Sequence, residues 1–188
     1  DYFRGSFLEG KPVIPVSAAT GDGIDELKSA IIAKCDRENK RRDEKELFRL
    51  PVDRVFTMQG FGTVVTGTLM DGNVRVGDDV IIYPEGTKAK VRGIQTYGKD
   101  TDIAVAGQRT AINLSGVSKE DIDRGDVVAY TDAVTVTNMI DAELSVFSST
   151  DRVVFNNSRV HLYCGSDEVL CKVILLDRDT LSAGETAY

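Results

Sequence analysis

Residues 48–69 read FRLPVDRVFTMQGFGTVVTGTL, and the class of the whole molecule turns on them. Two apolar runs, Val52-Asp53-Arg54-Val55-Phe56 and Thr63-Val64-Val65-Thr66, flank Gly60-Phe61-Gly62. β-Branched and aromatic residues interrupted by glycine predict two strands joined by a tight or bulged turn. A dinucleotide-binding GxG opens a helix, whereas a β run follows here, which favours a bulged hairpin. Asp53-Arg54 is a charge pair set inside the first strand. Strand neighbours point to opposite faces, so at most one of the two can face a core. On strand logic alone, a functional site and a solvated ion pair contributing about 0–1 kcal/mol are both open readings.

Downstream the pattern stays β. Short runs recur at Asp53–Met58, Thr63–Leu69, Asp79–Tyr83, Ala89–Thr96, Gln108–Leu114 and Asp126–Tyr130. Turn signals at Asp71-Gly72-Asn73, Val76-Gly77-Asp78, Glu85-Gly86 and Ala106-Gly107 separate them, the signature of a small closed barrel. A second series starts near Val134, with strands at Asp141–Phe147, Ser158–Tyr163, Glu168–Leu176 and Gly184-Glu185-Thr186. It predicts another barrel that stops before its last strands. An unfinished barrel has an unpaired edge that invites self-association.

Upstream, Val13-Ile14-Pro15-Val16 predicts a short strand, followed by the small-residue loop Ser17-Ala18-Ala19-Thr20-Gly21-Asp22-Gly23. Ile24, Leu27, Ile31 and Ile32 then recur at helical spacing, with Asp22 or Gly23 near the cap. This single αβ half-unit needs a larger sheet to join, so it reads as the tail of another domain, and Asp1-Tyr2-Phe3-Arg4 reads as the middle of an element. Gly5-Ser6-Phe7-Leu8-Glu9-Gly10-Lys11 fits the phosphate-loop spacing GxxxxGK, but Pro12 stands where a magnesium-binding Ser or Thr belongs. A phosphate loop also needs a following helix N-terminus, and a strand is predicted there, so the match is accidental. The run DRENKRRDEKE after Cys35 reads as a helix end and a solvated linker.

The chain of 188 residues is long enough for one large or two small domains. Its net charge of −7 excludes broad non-specific nucleic-acid binding, which rests on phosphate neutralisation, but leaves room for a local basic patch. No apolar run approaches the ~20 residues that span a bilayer, and no signal peptide opens the chain, so a cytoplasmic, membrane-free protein is expected. Cys35, Cys164 and Cys171 are sparse and odd in number, as free thiols in a reducing compartment are. Strand parity sets His161 and Cys171 on one face and Cys164 on the other, without any CxxC pair. That argues against a metal site.

Taken in order, these motifs resemble one superfamily. VIPVSAATGDGIDEL (13–27) is similar to the fifth guanine-nucleotide box and final helix of a translational GTPase domain. RVFTMQGFGTVVTGTL, GNVRVGDDVIIYP, KVRGIQTYG, AGQRTAINLSGV and IDRGDVV resemble its second domain, and NSRVHLYCGSDEVLCKVILLD with LSAGETA its third. Elongation factor Tu carries Ile-Glu-Asp where this chain has Val52-Asp53-Arg54, and Gly-Asp-Asn where it has Gly107-Gln108-Arg109. FRLPVDRVF paired with AGQR looks instead like the bacterial selenocysteine-specific elongation factor. The resemblance implies a mainly β fold of two consecutive barrels after an αβ remnant, divided at 1–46, 47–131 and 132–188. It implies an aminoacyl pocket on the second-domain barrel whose charged residues, carried over, are Asp53, Arg54 and Arg109. Ser17 and Ala18 would touch guanine in the intact domain.

Chemistry gives that pocket an independent rationale. A selenol is far more acidic than a thiol, so a selenocysteinyl group is mostly an anion at neutral pH. A cysteine thiol, with a pKa of about 8.5, is mostly neutral, and serine does not ionise. Small shape differences discriminate by only ~1–3 kcal/mol, whereas one charge pair at ~4 Å contributes about 4 kcal/mol at an effective dielectric of 20, before desolvation. Arginine keeps its charge when partly buried. Asp53 either orients an arginine or accepts from the aminoacyl amine. Lys88, Lys90 and Arg92 alternate along one strand and meet solvent or phosphate. Arg152, Arg159 and Lys172 are candidates for backbone contacts with a tRNA stem.

The resemblance further implies an intact GTPase, using GTP and magnesium, that carries selenocysteinyl-tRNA to the ribosome at recoded UGA codons. A messenger-RNA hairpin would be read by further C-terminal domains. This chain contains no phosphate loop or switch region, so it is expected to bind no cofactor and to be inactive alone. Two alternatives remain at this point: another tRNA-carrying GTPase, like elongation factor Tu or an initiation factor, and a β-barrel protein-interaction module that handles no tRNA.

Overall fold

In a computed structural model, which describes residues 3–4, 6, 8–38 and 47–188, the alternation that starts at Phe48 becomes an antiparallel barrel. Its strands are β1 (Arg49–Met58), β2 (Gly62–Thr68), β4 (Asp79–Tyr83), β5 (Thr87–Thr96), β8 (Arg109–Ser115) and β9 (Val127–Ala129). They run in the order β4–β9–β1–β2–β8–β5, and a β4–β5 ladder closes the ring of six. Closure leaves no unpaired edge among them. Three short strands were not legible in the sequence: β3 (Asn73–Arg75), its partner β7 (Ile103–Val105), and β6 (Lys99–Thr101), which pairs with β5. At three residues each they are too short to carry a readable alternation.

Inward positions alternate along every long strand. Leu50, Val52, Val65, Ile82, Ile112 and Leu114 are fully buried in one cluster, each contributing roughly 1.5–3 kcal/mol. Phe48 is also fully buried and meets Tyr130 edge-on, with ring centroids 5.4 Å apart. The Tyr130 hydroxyl donates to Asp78 Oδ2 at 2.5 Å, with the Asn73 carbonyl oxygen 3.1 Å away. Burial, and then the Asp78 carboxylate, push that hydroxyl's pKa up, so it remains a donor.

The β1–β2 hairpin forms as predicted, but its bulge lies elsewhere. Around Gly60-Phe61-Gly62 the register is unbroken, with Met58 opposite Gly62 and Phe61 N–H donating to the Met58 carbonyl at 3.0 Å. Positive φ at Gly60 (81°) and Gly62 (90°) closes the turn without an extra residue. The register shift falls between Val52, opposite Gly67, and Arg54, opposite Thr66, leaving Asp53 as the extra residue. Gly67 is needed there, because a Cβ on it would lie 2.1 Å from the Pro51 carbonyl oxygen and 2.9 Å from Leu50 Cδ2.

Upstream, α1 spans Ile24–Glu38 as its spacing predicts, and Leu27 N–H bonds the Gly23 carbonyl at 3.0 Å, making Gly23 the cap. A Cβ on Gly23 would overlap the Pro15 carbonyl at 2.1 Å. Val13–Val16 forms no strand: it has no ladder partner among the described residues, and Val13 and Val16 are exposed. A lone extended segment cannot satisfy its own N–H and C=O groups by strand pairing. Residues 39–46 of the charged linker, and Gly5 and Phe7 of the GxxxxGK match, lie outside the described residues.

The second β series forms three ribbons instead of a closed ring among the described residues. β10 (Leu144–Ser145) pairs with β15 (Thr186–Ala187), β11 (Val154–Phe155) with β14 (Thr180–Leu181), and β12 (Arg159–Cys164) with β13 (Asp167–Lys172). A small cluster of Leu175, Leu181 and Ala187 is buried. By its contacts the chain divides into two units: Arg42–Met139 with His161–Cys171, and Asp1–Arg41 with Ile140–Val160 and Lys172–Tyr188. No described helix is long and apolar enough to cross a membrane.

Gly67→Ala tests the close approach at the bulge. Because backbone cannot yield as a side-chain tip does, the substitution should cost at least about 2 kcal/mol in urea unfolding. A loss under about 0.5 kcal/mol would show that the β1–β2 contact is looser than described.

Candidate functional site

A β-bulge overturns the parity rule at Asp53-Arg54. Residues directly opposite in an antiparallel ladder share a face. On β2, Val65 is in the core, so Thr66 points outward, and Arg54, opposite it, does too. The bulged Asp53 turns to the same side: its Oδ1 accepts from Thr66 Oγ1 at 2.8 Å. Both members of the charge pair therefore occupy the outer face, and the core loses neither of its neighbours, Val52 and Val55.

Arg109 enters from a third strand. Gly107, at φ 87°, makes the turn before β8 and donates its N–H to the Leu69 carbonyl at 2.6 Å. Gln108 fastens that turn through Oε1, which accepts from Val105 N–H at 3.0 Å, so Gln108 is structural. Arg109 then lies opposite Thr68, with Thr110 facing inward beside it. Its guanidinium forks onto Asp53, Nη1 to Oδ2 and Nη2 to Oδ1, the latter at 3.0 Å. Two-pronged arginine–carboxylate pairing fixes orientation as well as adding energy.

Partial burial pushes the Asp53 carboxyl up, but the bonds from Arg109 and Thr66, with the charges of Arg109 and Arg54, outweigh it and hold it below the usual carboxylate range. Arg54 thus acts on the same carboxylate as Arg109, and the three charges sum to +1. Two of the five guanidinium donors of Arg109 are spent on Asp53, which leaves three, and the Arg109 side chain is 52% exposed.

Two residues of this face escaped the sequence reading. Thr66 is one; its signal was the strand register, which the bulge obscured. The other is Asn113, on β8 between Val64 and Gly93, with Ile112 and Leu114 facing the core. Its Oδ1 is buried without a hydrogen-bond partner among the described residues. An orphaned acceptor costs roughly 1–3 kcal/mol, and being buried it is out of reach of a ligand on this face.

The other candidates stand apart from this cluster. Lys88, Lys90 and Arg92 alternate as expected, all three exposed with buried Ala89 and Val91 between them, although a second bulge, between Val91 and Gly93, makes Arg92 the extra residue opposite β8. Lys90 pairs with Asp79 at 3.7 Å, and Lys88 lines the same open groove of about 490 Å³. His161 Nδ1 meets Glu168 at 2.6 Å, which places these two on one face of the β12–β13 ribbon. Parity within each strand then puts Cys164 and Cys171 together on the opposite face, so the sequence parity failed across the turn. No metal-holding group of three His, Cys, Asp or Glu occurs among the described residues.

Ser17 and Ala18 belong to the other unit. Their loop is held by its own bonds: Ser17 N–H to the Asp22 carbonyl at 3.0 Å, Gly21 N–H to the Ser17 carbonyl at 2.8 Å, and Thr20 Oγ1 to Asp22 at 2.6 Å. Residues 11–17 are not helical, so no helix N-terminus follows the GxxxxGK match. These residues alone do not fit a guanine nucleotide with magnesium.

Comparison with known proteins agrees with the fold and the motifs. Residues 62–129 match the family model for elongation factor Tu domain 2. Over 99% of its length the chain is 46% identical to a selenocysteine-specific elongation factor of Desulfomicrobium baculatum, of which it spans 29%. It is 34% identical to that of Methanocaldococcus jannaschii over 84% of this chain and 34% of the relative. A crystal structure of a bacterial selenocysteine-specific elongation factor, EF-Sec, is similar with a TM-score of 0.72 and 30% identity, covering 92% of this chain and 29% of that one. The chain thus spans about a third of the length of these relatives, and the resemblance drawn from its motifs is borne out.

Asp53 gives the site a pH signature. Its depressed folded-state pKa means that its stabilisation is fully present above the unfolded value of about 3.9 and is lost as pH falls through the lower folded value. Asp53→Asn should therefore cost about 1 kcal/mol, constant from pH 5 to 8 and shrinking below about pH 4, in urea unfolding at several pH values. A gap that varies between pH 5 and 8 would contradict the ionised fork.

Proposed function

From a chain similar along almost its whole length to selenocysteine-specific elongation factors, we infer that the barrel of residues 47–131 binds the aminoacyl end of selenocysteinyl-tRNA. The binding face is the outer one carrying Asp53, Arg54 and Arg109. In the intact protein a GTP- and magnesium-dependent switch delivers that tRNA to the ribosome at recoded UGA codons. Residues 132–188 form its second β domain, and Ser17 and Ala18 belong to the guanine side of its GTPase domain.

The observation that carries the reading is the Asp53–Arg109 fork with Arg54 on the same face. A cluster with net charge +1 attracts a selenolate and offers an uncharged seryl side chain only hydrogen bonds. Of the two roles open to Asp53, the fork favours orientation of Arg109, since both carboxylate oxygens are engaged by it. The three guanidinium donors left over then serve the ligand. Had Arg109 no such anchor, part of its attraction would be lost in ordering a long side chain.

No contribution to phosphoryl transfer is assigned to residues of this chain. What they do is hold, orient and discriminate one end of the cargo.

In the intact factor, Arg109→Ala and Arg54→Ala should each weaken selenocysteinyl-tRNA binding at least about tenfold, the effect of losing part of one charge pair. Seryl-tRNA binding should change less than about threefold, within the range of an exposed pair. Filter binding with both tRNAs decides; equal losses for the two would remove charge readout.

A further inference from the structure

We propose that Ser166, at the tip of the β12–β13 hairpin, is a positioning residue for the aminoacyl-binding face, acting through the carbonyl of Val52 on the bulge that presents Asp53. The inference rests on the function proposed above and adds a residue 114 positions from Val52 to its machinery.

Val52 is the last residue in register before the bulge. Its N–H donates to the Asp126 carbonyl at 2.7 Å, and its carbonyl accepts from Gly125 N–H at 2.9 Å and from Ser166 Oγ at 2.6 Å. A peptide unit is planar, so the Val52 carbonyl and the Asp53 nitrogen move as one body. Whatever fixes that oxygen fixes the plane from which Asp53 springs. Gly125 holds it from one element and Ser166 from another.

The tip is itself seated to hold this bond. Arg124 Nε donates to the Ser166 carbonyl at 3.2 Å. Gly165 lies so close to Pro51 that a Cβ on it would stand 3.3 Å from the proline Cβ. Asp167 fills the space over Gly125, where an added Cβ would fall 2.6 Å from its carboxylate. At φ 107°, Gly125 is thus confined to glycine by its backbone and by the hairpin together. All of these residues belong to one unit, Arg42–Met139 with His161–Cys171. An exposed ribbon with so little core of its own needs some such reason to sit against the bulge.

Ser166→Ala deletes the Oγ donor and leaves Gly125 on the Val52 carbonyl, so the barrel stays folded while the peptide plane loosens. In the intact factor, the preference for selenocysteinyl- over seryl-tRNA should fall on the order of fivefold, the effect of one neutral hydrogen bond. Seryl-tRNA affinity should stay unchanged, and Ser166→Thr, which keeps the hydroxyl, should restore the preference. Amide exchange at Asp53 and Arg54 should quicken in Ser166→Ala, with Ile81 and Ile82 unaffected. Unchanged exchange at the bulge, an unchanged preference, or equal losses for both tRNAs each overturns the proposal. A wild-type factor without any preference would instead overturn the function on which it rests.

Discussion

The carboxylate of Asp53 ties three strands together on the outer face of the barrel. It is bonded by Thr66 of β2 and forked by Arg109 of β8 while its own backbone bulges out of β1. An unpaired carboxylate held partly out of water is unfavourable, and an unanchored arginine wastes its charge on many conformers. Each cures the other's defect. What remains is a fixed guanidinium with spare donors beside a second arginine, Arg54, in a field one charge above neutral.

A closed barrel suits this work because its interior needs nothing from the site. The inward residues of β1, β2 and β8 fill the core, and every polar member of the cluster stands on the other side of the same strands. Only one device is needed to bring adjacent residues to a single face, and that is the bulge. Gly67 makes room for the chain there, and the Val52 carbonyl anchors it. On the proposed function, specificity for an anionic side chain comes from charge placed on a rigid wall, with no enclosed cavity required. The same proposal reconciles an acidic chain, at net charge −7, with a nucleic-acid cargo, because the recognition it invokes is local.

Much of this was legible in the residues. The β-branched run in Asp79–Tyr83, set off by turn residues, and the helical spacing from Ile24 to Ile32 are local signals, and both elements formed where those signals put them. Arg109 could be tied to Asp53 only through the motif resemblance, since 56 residues separate them. The bulge was illegible because it depends on hydrogen bonds to other strands, which leave no mark on the periodicity of β1. Parity also failed across the β12–β13 turn, where the pairing of the two strands sets the faces. Val13–Val16 looked like a strand because apolar β-branched residues favour one, yet a strand exists only with a partner. Ser166 meets the Val52 carbonyl across 114 residues, and nothing in its own neighbourhood announces the contact.

Charge, as opposed to shape, as the property read at Asp53, Arg54 and Arg109 is tested most directly by the intact factor's affinities for selenocysteinyl- and cysteinyl-tRNA as pH is varied. The two side chains differ by one chalcogen atom and, at neutral pH, by a charge. The account predicts a preference for selenium that is large at pH 7 and collapses as acid protonates the selenol, while Asp53 stays ionised. A preference that holds its size across that titration would contradict it.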